Sequence, residues 1–377
     1  MSGLVGDYRL WYRITPGFVA DPSADAFVAV ALMAAMAWNE PLELAPPAAV
    51  SPLLLGNLER LQEIFHVWNP ALRRVPVVAA AAPPPAPRPG SGAFFSGGVD
   101  SLYTFLRNEA EITHLVQLHG FEYRRQNRSL AQEAEERNRR FAASRRRELV
   151  IVETNVRELF EKHNVHIYTY HGALLASVAH LLGFHRAWVP SSQSWASLSP
   201  WGSSPVTDPL WSTESVEIVH DGCEARRHDK VRRLAQDPDA LALLRVCPEN
   251  KVYNCGRCEK CLRTRAVLRM LGLTSPNLPP LGDLRPVRGL RFHSHWQRAE
   301  WIDNLRLAVE VGDRPLARAI SVAIARYDAK QALRSLDQAF LGGGLRQLRA
   351  RLRGAAPVDD EPILPSPTEP DLDPSRR

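Results

Sequence analysis

No stretch of this sequence is long and apolar enough to cross a bilayer. The longest apolar run, residues 26–38, falls short of the roughly 20 residues a membrane helix needs and reads as a buried helix instead. The opening Met1-Ser2-Gly3-Leu4-Val5-Gly6-Asp7 lacks the basic-then-apolar order of a secretory leader, so a cytoplasmic location without a membrane partner is expected. A large surplus of one charge is missing too. The 47 basic residues stand against 41 acidic ones, a formal net charge of +6, which is too even for a dedicated DNA binder but leaves nucleic acid open as a partner. Cysteine is scarce, five in 377 residues, and four of the five fall between positions 247 and 261. That clustering argues against a disulfide framework and for metal binding in a reducing compartment.

What is present divides the chain by composition. Residues 1–80 read as an α+β segment with a strand at 8–14, a buried helix at 24–38, an amphipathic helix at 52–68 and a short strand at 75–80. Ser51 is placed as an N-cap and Pro52 at the first helical position. No reactive constellation falls here, so packing or substrate-capping is the expected role. Residues 81–92 carry Pro83, Pro84, Pro85, Pro87 and Pro89 and read as a semi-rigid linker that excludes helix or central strand.

From residue 93 to 273, short apolar strands at 93–95, 113–118, 149–153, 187–189 and 216–219 alternate with helices at 100–108, 129–146 and 171–182. Such alternation predicts an α/β fold with a doubly wound parallel sheet and helices on both faces. A Pro- and Leu-rich loop covers 274–288. Helical patterns at 296–310, 314–326, 329–340 and 345–353 form an appendage over 289–353 that either covers the sheet or mediates self-association, and a homo-oligomer is expected. The proline-rich, acidic stretch 354–377 reads as a disordered tail.

Two motifs carry chemistry. The first is Ser96-Gly97-Gly98-Val99-Asp100-Ser101, placed after a strand and before a helix. Its glycines let the backbone approach a ligand closely. A phosphate can then sit on the free amides of the helix N-terminus, with Ser96 and Ser101 adding hydroxyls. Asp100 would repel phosphate directly, so a role through magnesium or as the helix cap is expected of it. The order differs from the Walker pattern, which needs Gly-Lys-Ser/Thr. It resembles the PP-loop signature Ser-Gly-Gly-x-Asp-Ser of the N-type ATP pyrophosphatases. That resemblance implies an adenine nucleotide alpha hydrolase-like fold, with ATP cleaved to AMP and pyrophosphate. It also implies that adenine is read by backbone near Gln117, Leu118 and His119; His119 could equally be an incidental loop histidine.

The second motif is Cys247, Cys255, Cys258 and Cys261, a knuckle that runs into a helix at 262–271. Four thiolates suit a closed, structural zinc site; an iron–sulfur cluster is the alternative. A PP-loop at the front with a Cys-x7-Cys-x2-Cys-x2-Cys knuckle at the back is similar to the 7-cyano-7-deazaguanine synthase family, and Arg263 matches an arginine found there. The similarity covers residues 93–273. It implies an ATP-dependent, C–N bond-forming enzyme with ATP, Mg2+ and Zn2+, which adenylates a carboxylate or amide oxygen of a small, purine-like acceptor and replaces that oxygen with nitrogen from ammonia. The front segment, the helical appendage and the stretch Pro190-Ser191-Ser192-Gln193-Ser194-Trp195 depart from that family, so the acceptor does not transfer with the motifs.

The expected catalytic groups are Asp100, Ser101 and Lys230. Lys230 could neutralise phosphate or be an ordinary surface lysine. Residues 191–211, rich in Ser, Trp and Pro, read as a substrate-facing loop whose tryptophans either stack on a planar ring or anchor the core. Turn and cap duties are expected of Asp208 and Glu214. Cys223, outside the knuckle, reads as a buried structural cysteine. A sulfur-transfer enzyme would use it as a thiol carrier but usually needs a second thiol beside it. Sulfur transfer to tRNA or a small molecule, and a non-catalytic nucleotide- or partner-binding module, are the competing functional readings.

Overall fold

A computed structural model of the protein describes residues 1–121, 127–248 and 252–344, so the expected helix at 345–353 and the expected tail at 354–377 lie outside the described residues. The chain forms two units, Met1–Pro280 and Leu281–Arg377.

The first unit opens with strands β1 (Ser2–Val5) and β2 (Tyr8–Ile14), followed by helix α1 (Asp25–Trp38). α1 is apolar all round, and nearly every side chain in it is buried, which is how a helix inside a core reads. It stops at Asn39, held in the left-handed conformation at φ 58°. Two-residue strands β3 (Leu42–Glu43) and β4 (Ala49–Val50) lead to α2 (Pro52–Trp68), where the Ser51 side chain accepts the Leu54 amide as the sequence suggests. The expected strand at 75–80 is instead two short pieces, β5 (Val77–Val78) and β6 (Ala80–Ala81), which pair in parallel with β3 and β4.

The central elements follow as β7 (Arg88–Phe94), α3 (Val99–Arg107), β8 (His114–His119), α4 (Arg128–Ser144), β9 (Glu148–Thr154), α5 (Val156–Lys162), α6 (Ile167–Leu182), β10 (Phe184–Pro190), β11 (Glu217–Asp221), α7 (Arg227–Leu234), α8 (Pro238–Leu243) and α9 (Glu259–Met270). They build a mostly parallel sheet of seven strands in the order β1-β2-β9-β8-β7-β10-β11. The five strands from β9 to β11 are parallel; β2 joins β9 antiparallel, and β1 joins β2. The first eighty residues therefore extend the central sheet. Tyr12 of β2 bonds Ser177 of α6 at 2.5 Å, and Ser177 in turn donates to the Ala26 carbonyl of α1, tying the three elements together.

One expectation needs correction. The proline-rich stretch 81–92 is no free linker, because β7, in the middle of the sheet, begins at Arg88. A bulge admits the proline. β10 pairs Phe184 with Arg88 but Arg186 with Ser91, so one residue of β10 spans Pro89 and Gly90. The missing N–H of Pro89 falls at this break in the ladder, and Gly90 takes φ +95°.

Strand order reverses at β7. The chain moves through β8 to β9 on one side, then returns past β7 to β10 and β11 on the other. At such a reversal the loops after neighbouring strands part company, leaving a crevice at the carboxyl ends of the strands. Here those loops are the ones that follow β7 and β10.

The second unit holds α10 (Arg285–Arg288), α11 (His295–Glu310) and α12 (Arg314–Leu341). The two helices expected at 314–326 and 329–340 are one continuous α12. Neither Gly nor Pro interrupts residues 316–341, so nothing in the backbone stops the helix before Gly342. Arg298 of α11 clamps Asp328 of α12 through Nε at 2.6 Å and Nη2 at 2.9 Å.

Candidate functional site

The loop after β7 runs straight into α3. Gly97 takes φ +73°, and extended Gly98 caps a helix whose first residue is Val99. The loop is drawn tight by its serines. Ser101 Oγ donates to the Gly98 carbonyl at 3.2 Å and accepts the Ser96 amide at 3.3 Å, while Ser96 Oγ accepts the Gly98 amide at 3.3 Å. A Cβ on Gly97 would stand 3.1 Å from Asn138 Oδ1, and one on Gly98 would stand 3.1 Å from Ser96 Oγ. A side chain at either glycine would press on these neighbours, beside amides at a helix start that have no partner within the helix.

Cations converge on this loop. Lys230, on α7, is 2% exposed and so is no surface lysine; its Nζ lies 3.0 Å from Asp100 Oδ1 and 2.6 Å from the Ser191 carbonyl. Arg227, one turn earlier, reaches Asp100 Oδ2 at 3.4 Å. Arg263 and Lys260 of α9 join the group: Arg263 acts on Asp100, and Lys260 acts on Arg263, Arg227 and Asp100. Burial pushes the Asp100 carboxyl up, and Lys230, Arg227 and Arg263 outweigh it, so its pKa falls below the usual carboxylate range. Lys260 moves down, first because it is desolvated and then because Arg263 and Arg227 repel it. Four cations meet the carboxylates of Asp100 and Glu259, which leaves the group net positive. Such a bay favours an added anion. A magnesium ion at Asp100 would have to displace the two cations that hold its oxygens.

The end of β8 is polar inside. Asn138 of α4 donates through Nδ2 to Gln117 Oε1 at 2.8 Å, and Gln117 Nε2 lies 3.0 Å from His119 Nε2. Gln117 is fully buried, Leu118 is buried, and burial lowers the His119 pKa. Asn138 was not among the sequence candidates, though a signal exists: it shares the face of Leu130, Ala131, Ala134, Phe141 and Ala142, an amide on an otherwise apolar stripe.

The four knuckle cysteines come together with their sulfurs all within 4.8 Å of one another. Cys247 and Cys258 lie 3.8 Å apart, as do Cys255 and Cys261 at 3.9 Å. Four thiolates about 2.3 Å from a tetrahedral metal would be separated by about 3.8 Å. The chemistry and the spacing both fit a metal ion such as zinc. Two side chains brace the knuckle. Asn254 accepts the amides of Val246 and Cys247 at 2.9 and 3.2 Å, and Arg265 donates to the carbonyls of Gly256, Pro279 and Pro280 at 2.5–2.7 Å. The knuckle leads into α9, which presents Lys260 and Arg263, so the four-cysteine cluster adjoins half of the cationic bay.

Residues 191–211 pack on the start of α6. The Gly172 amide bonds the Gly202 carbonyl at 3.0 Å, and the Gly202 amide bonds the Tyr168 carbonyl at 2.7 Å. Of the tryptophans, Trp211 is fully buried and anchors the core, Trp201 stacks on Tyr168 at 4.2 Å, and Trp195 is 61% exposed. Glu214 caps another element, accepting the Ser51 hydroxyl and the Leu53 amide at the start of α2. Asp208 accepts from Ser203 Oγ at 2.6 Å and lies 2.7 Å from Nδ1 of His220, a residue absent from the sequence candidates. Burial disfavours the His220 imidazolium, but Asp208 and the Cys223 thiol outweigh that and raise its pKa to about 9. Cys223 is buried and donates to Ser191 Oγ at 3.2 Å.

Compared with protein-family models, curated proteins and solved structures, the chain matches none. No helix among the described residues is long and apolar enough to cross a membrane.

Proposed function

We propose that this protein is a PP-loop enzyme with a doubly wound, adenine nucleotide alpha hydrolase-like domain, a divergent relative of the 7-cyano-7-deazaguanine synthases. It cleaves ATP to AMP and pyrophosphate, adenylates a carboxylate or amide oxygen of a small acceptor, and installs nitrogen in its place. One observation carries the reading: Arg227, Lys230, Lys260 and Arg263 gather around Asp100, beside a glycine loop, where the strand order of the sheet reverses. Phosphoryl and adenylyl transfer need positioned charge more than covalent chemistry, and this bay offers charge with little else.

In this reading Gly97 and Gly98 open the cradle for the leaving phosphates, and Ser96 and Ser101 shape it. Lys230 and Arg227 supply charge there, and Asp100 holds both cations in place when no nucleotide is bound. The backbone at the end of β8, stiffened by the Asn138–Gln117–His119 chain, faces the adenine. The zinc-type knuckle is structural, since four cysteines leave no open coordination position, and its task is to fix α9.

Pyrophosphate release from ATP tests the proposal, measured on the metal-loaded protein with candidate carboxylate and amide acceptors and ammonia. Release that depends on acceptor and is lost in Ser96→Ala and Lys230→Met is the expected result. Pyrophosphate formation that persists unchanged in both variants would overturn it.

A further inference from the structure

Besides leading into α9, the four-cysteine knuckle is tied by its front end to the glycine loop. Helix α8 ends at Leu243, and residues 244–248 follow without regular secondary structure, yet Leu244, Arg245, Val246 and Cys247 are buried. Buried backbone has to find partners for its polar groups. Here one side chain supplies three. Asn254 donates through Nδ2 to the Leu244 carbonyl at 2.9 Å, and its Oδ1 accepts the amides of Val246 and Cys247. Tyr253 adds its hydroxyl to the Leu243 carbonyl at 2.5 Å. Arg245, in the midst of these contacts, donates its own amide to the Gly97 carbonyl at 2.8 Å.

That last bond acts on the softest part of the loop. Gly97, at φ +73°, and Gly98 flank one peptide group, and with no Cβ on either side its rotation is little hindered. A trans peptide is planar, with the Gly97 carbonyl and the Gly98 amide pointing in opposite directions, so holding the carbonyl aims the amide. The amide lies 3.3 Å from Ser96 Oγ, and a Cβ on Gly98 would stand 3.4 Å from the Arg245 carbonyl. Residues 243–247 thus lie against the loop as a strap. The strap ends at Cys247, and Asn254, which holds it, precedes Cys255; both cysteines belong to the cluster that fits one metal ion.

We propose that Asn254 is a positioning residue for the phosphate site, and that this strap makes nucleotide affinity depend on the metal held by the four cysteines. The inference rests on the reading of the glycine loop as a phosphate site. A closed cluster keeps Cys247 close to Cys255 and therefore Asn254 on the strap. The strap in turn keeps the Gly97–Gly98 peptide in one orientation. Without it the loop adopts that orientation only part of the time, and affinity falls by that fraction.

Two experiments on the full chain test this. The first needs no nucleotide: backbone hydrogen exchange of the peptide covering residues 96–102 is followed by mass spectrometry in the zinc-loaded protein. Asn254→Ala should speed it at least about tenfold, while peptides from β8 and β9 exchange as in the parent and show the fold intact. Arg265→Met removes a different brace of the knuckle, at the carbonyls of Gly256, Pro279 and Pro280, and should leave the 96–102 exchange within about twofold of the parent. Stripping and restoring zinc perturbs the strap without a substitution, and should speed the loop and then slow it again. Unchanged loop exchange in Asn254→Ala, or equal acceleration in Arg265→Met, overturns the strap. In the second, MgATP is titrated calorimetrically into parent and Asn254→Ala, each with and without zinc. Removing zinc from the parent should raise the Kd about tenfold, zinc-loaded Asn254→Ala should start about tenfold weaker, and removing its zinc should change it by less than about twofold. A parent affinity indifferent to zinc overturns the proposal. So does a zinc effect as large in Asn254→Ala as in the parent, which would pass through α9 instead. Absence of MgATP binding in the zinc-loaded parent overturns the nucleotide reading and the dependence of affinity on metal with it, while the exchange result still decides whether the strap governs the loop.

Discussion

Removing the Asp100 carboxylate tests how tightly the glycine loop and the cations depend on one another. Lys230 is 2% exposed and the Asp100 side chain 24%, with 3.0 Å between charged atoms. At an effective dielectric of about 20, two unit charges at that distance attract by about 5 kcal/mol before desolvation is counted. Buried pairs broken on one side lose about 3–5 kcal/mol, because the remaining charge is stranded. Asp100 keeps some contact with water, so Asp100→Asn should cost about 3 kcal/mol of stability, the low end of that range. Lys230→Met should cost about 1–2 kcal/mol, since Arg227 still faces the carboxylate. The double variant should cost less than the sum by about 2 kcal/mol. Tryptophan fluorescence during urea unfolding reads all four corners of the cycle. The folded carboxyl titrates below its ordinary value, so this contribution is full above about pH 4 and disappears as the pH falls through the folded pKa. Costs that add to within about 0.5 kcal/mol would refute the coupling.

Other predictions concern the remaining parts of the site. Elemental analysis should find one zinc-type ion per chain, and a strong chelator should remove it and lower the melting temperature; Cys255→Ser, which deletes one ligand, should do the same, whereas a melting curve indifferent to the chelator contradicts a structural metal. Gly97→Ala forces a side chain into φ +73° against Asn138, so it should cost about 1–2 kcal/mol of stability and weaken nucleotide binding, both measurable by thermal shift with and without ATP. His220 titrates at about 9 in the folded protein against roughly 6.5 unfolded, so its partnership with Asp208 and Cys223, near His171, stabilises fully below about pH 6.5 and is lost as the pH rises through about 9. The loss amounts to about 3 kcal/mol at most, and the drop in unfolding midpoint between pH 6.5 and 9.5 should be shallower in His220→Gln.

The α/β class, the glycine loop and the metal knuckle were legible in the sequence because each is a local pattern. Ser96–Ser101 lies on consecutive residues between a strand and a helix, and four cysteines within residues 247–261 can close around one ion with little help from the rest of the chain. The bulge at Pro89–Gly90 was not legible. A proline run read alone says linker, and only pairing with Phe184 and Arg186, a hundred residues away, turns it into a central strand. The cationic bay was half visible for the same reason. Lys230 stood out and Arg263 was marked by a family resemblance, but Arg227 and Lys260 acquire meaning only when α7 and α9 are brought to Asp100. His220 and Asp208 pair across twelve positions spanning a turn and a strand, so no spacing rule pointed to them.

Calorimetric titration of ATP into the metal-loaded protein, repeated with Lys260→Met, measures the central claim most directly. Lys260 sits in the bay against the repulsion of Arg227 and Arg263, and a polyphosphate would relieve that repulsion. Saturable binding of one nucleotide per chain, weakened about tenfold in Lys260→Met and falling with added salt, is the predicted result. No heat of binding, or an affinity the same in both proteins, would contradict the assignment of the glycine loop and its cations to a nucleotide's phosphates.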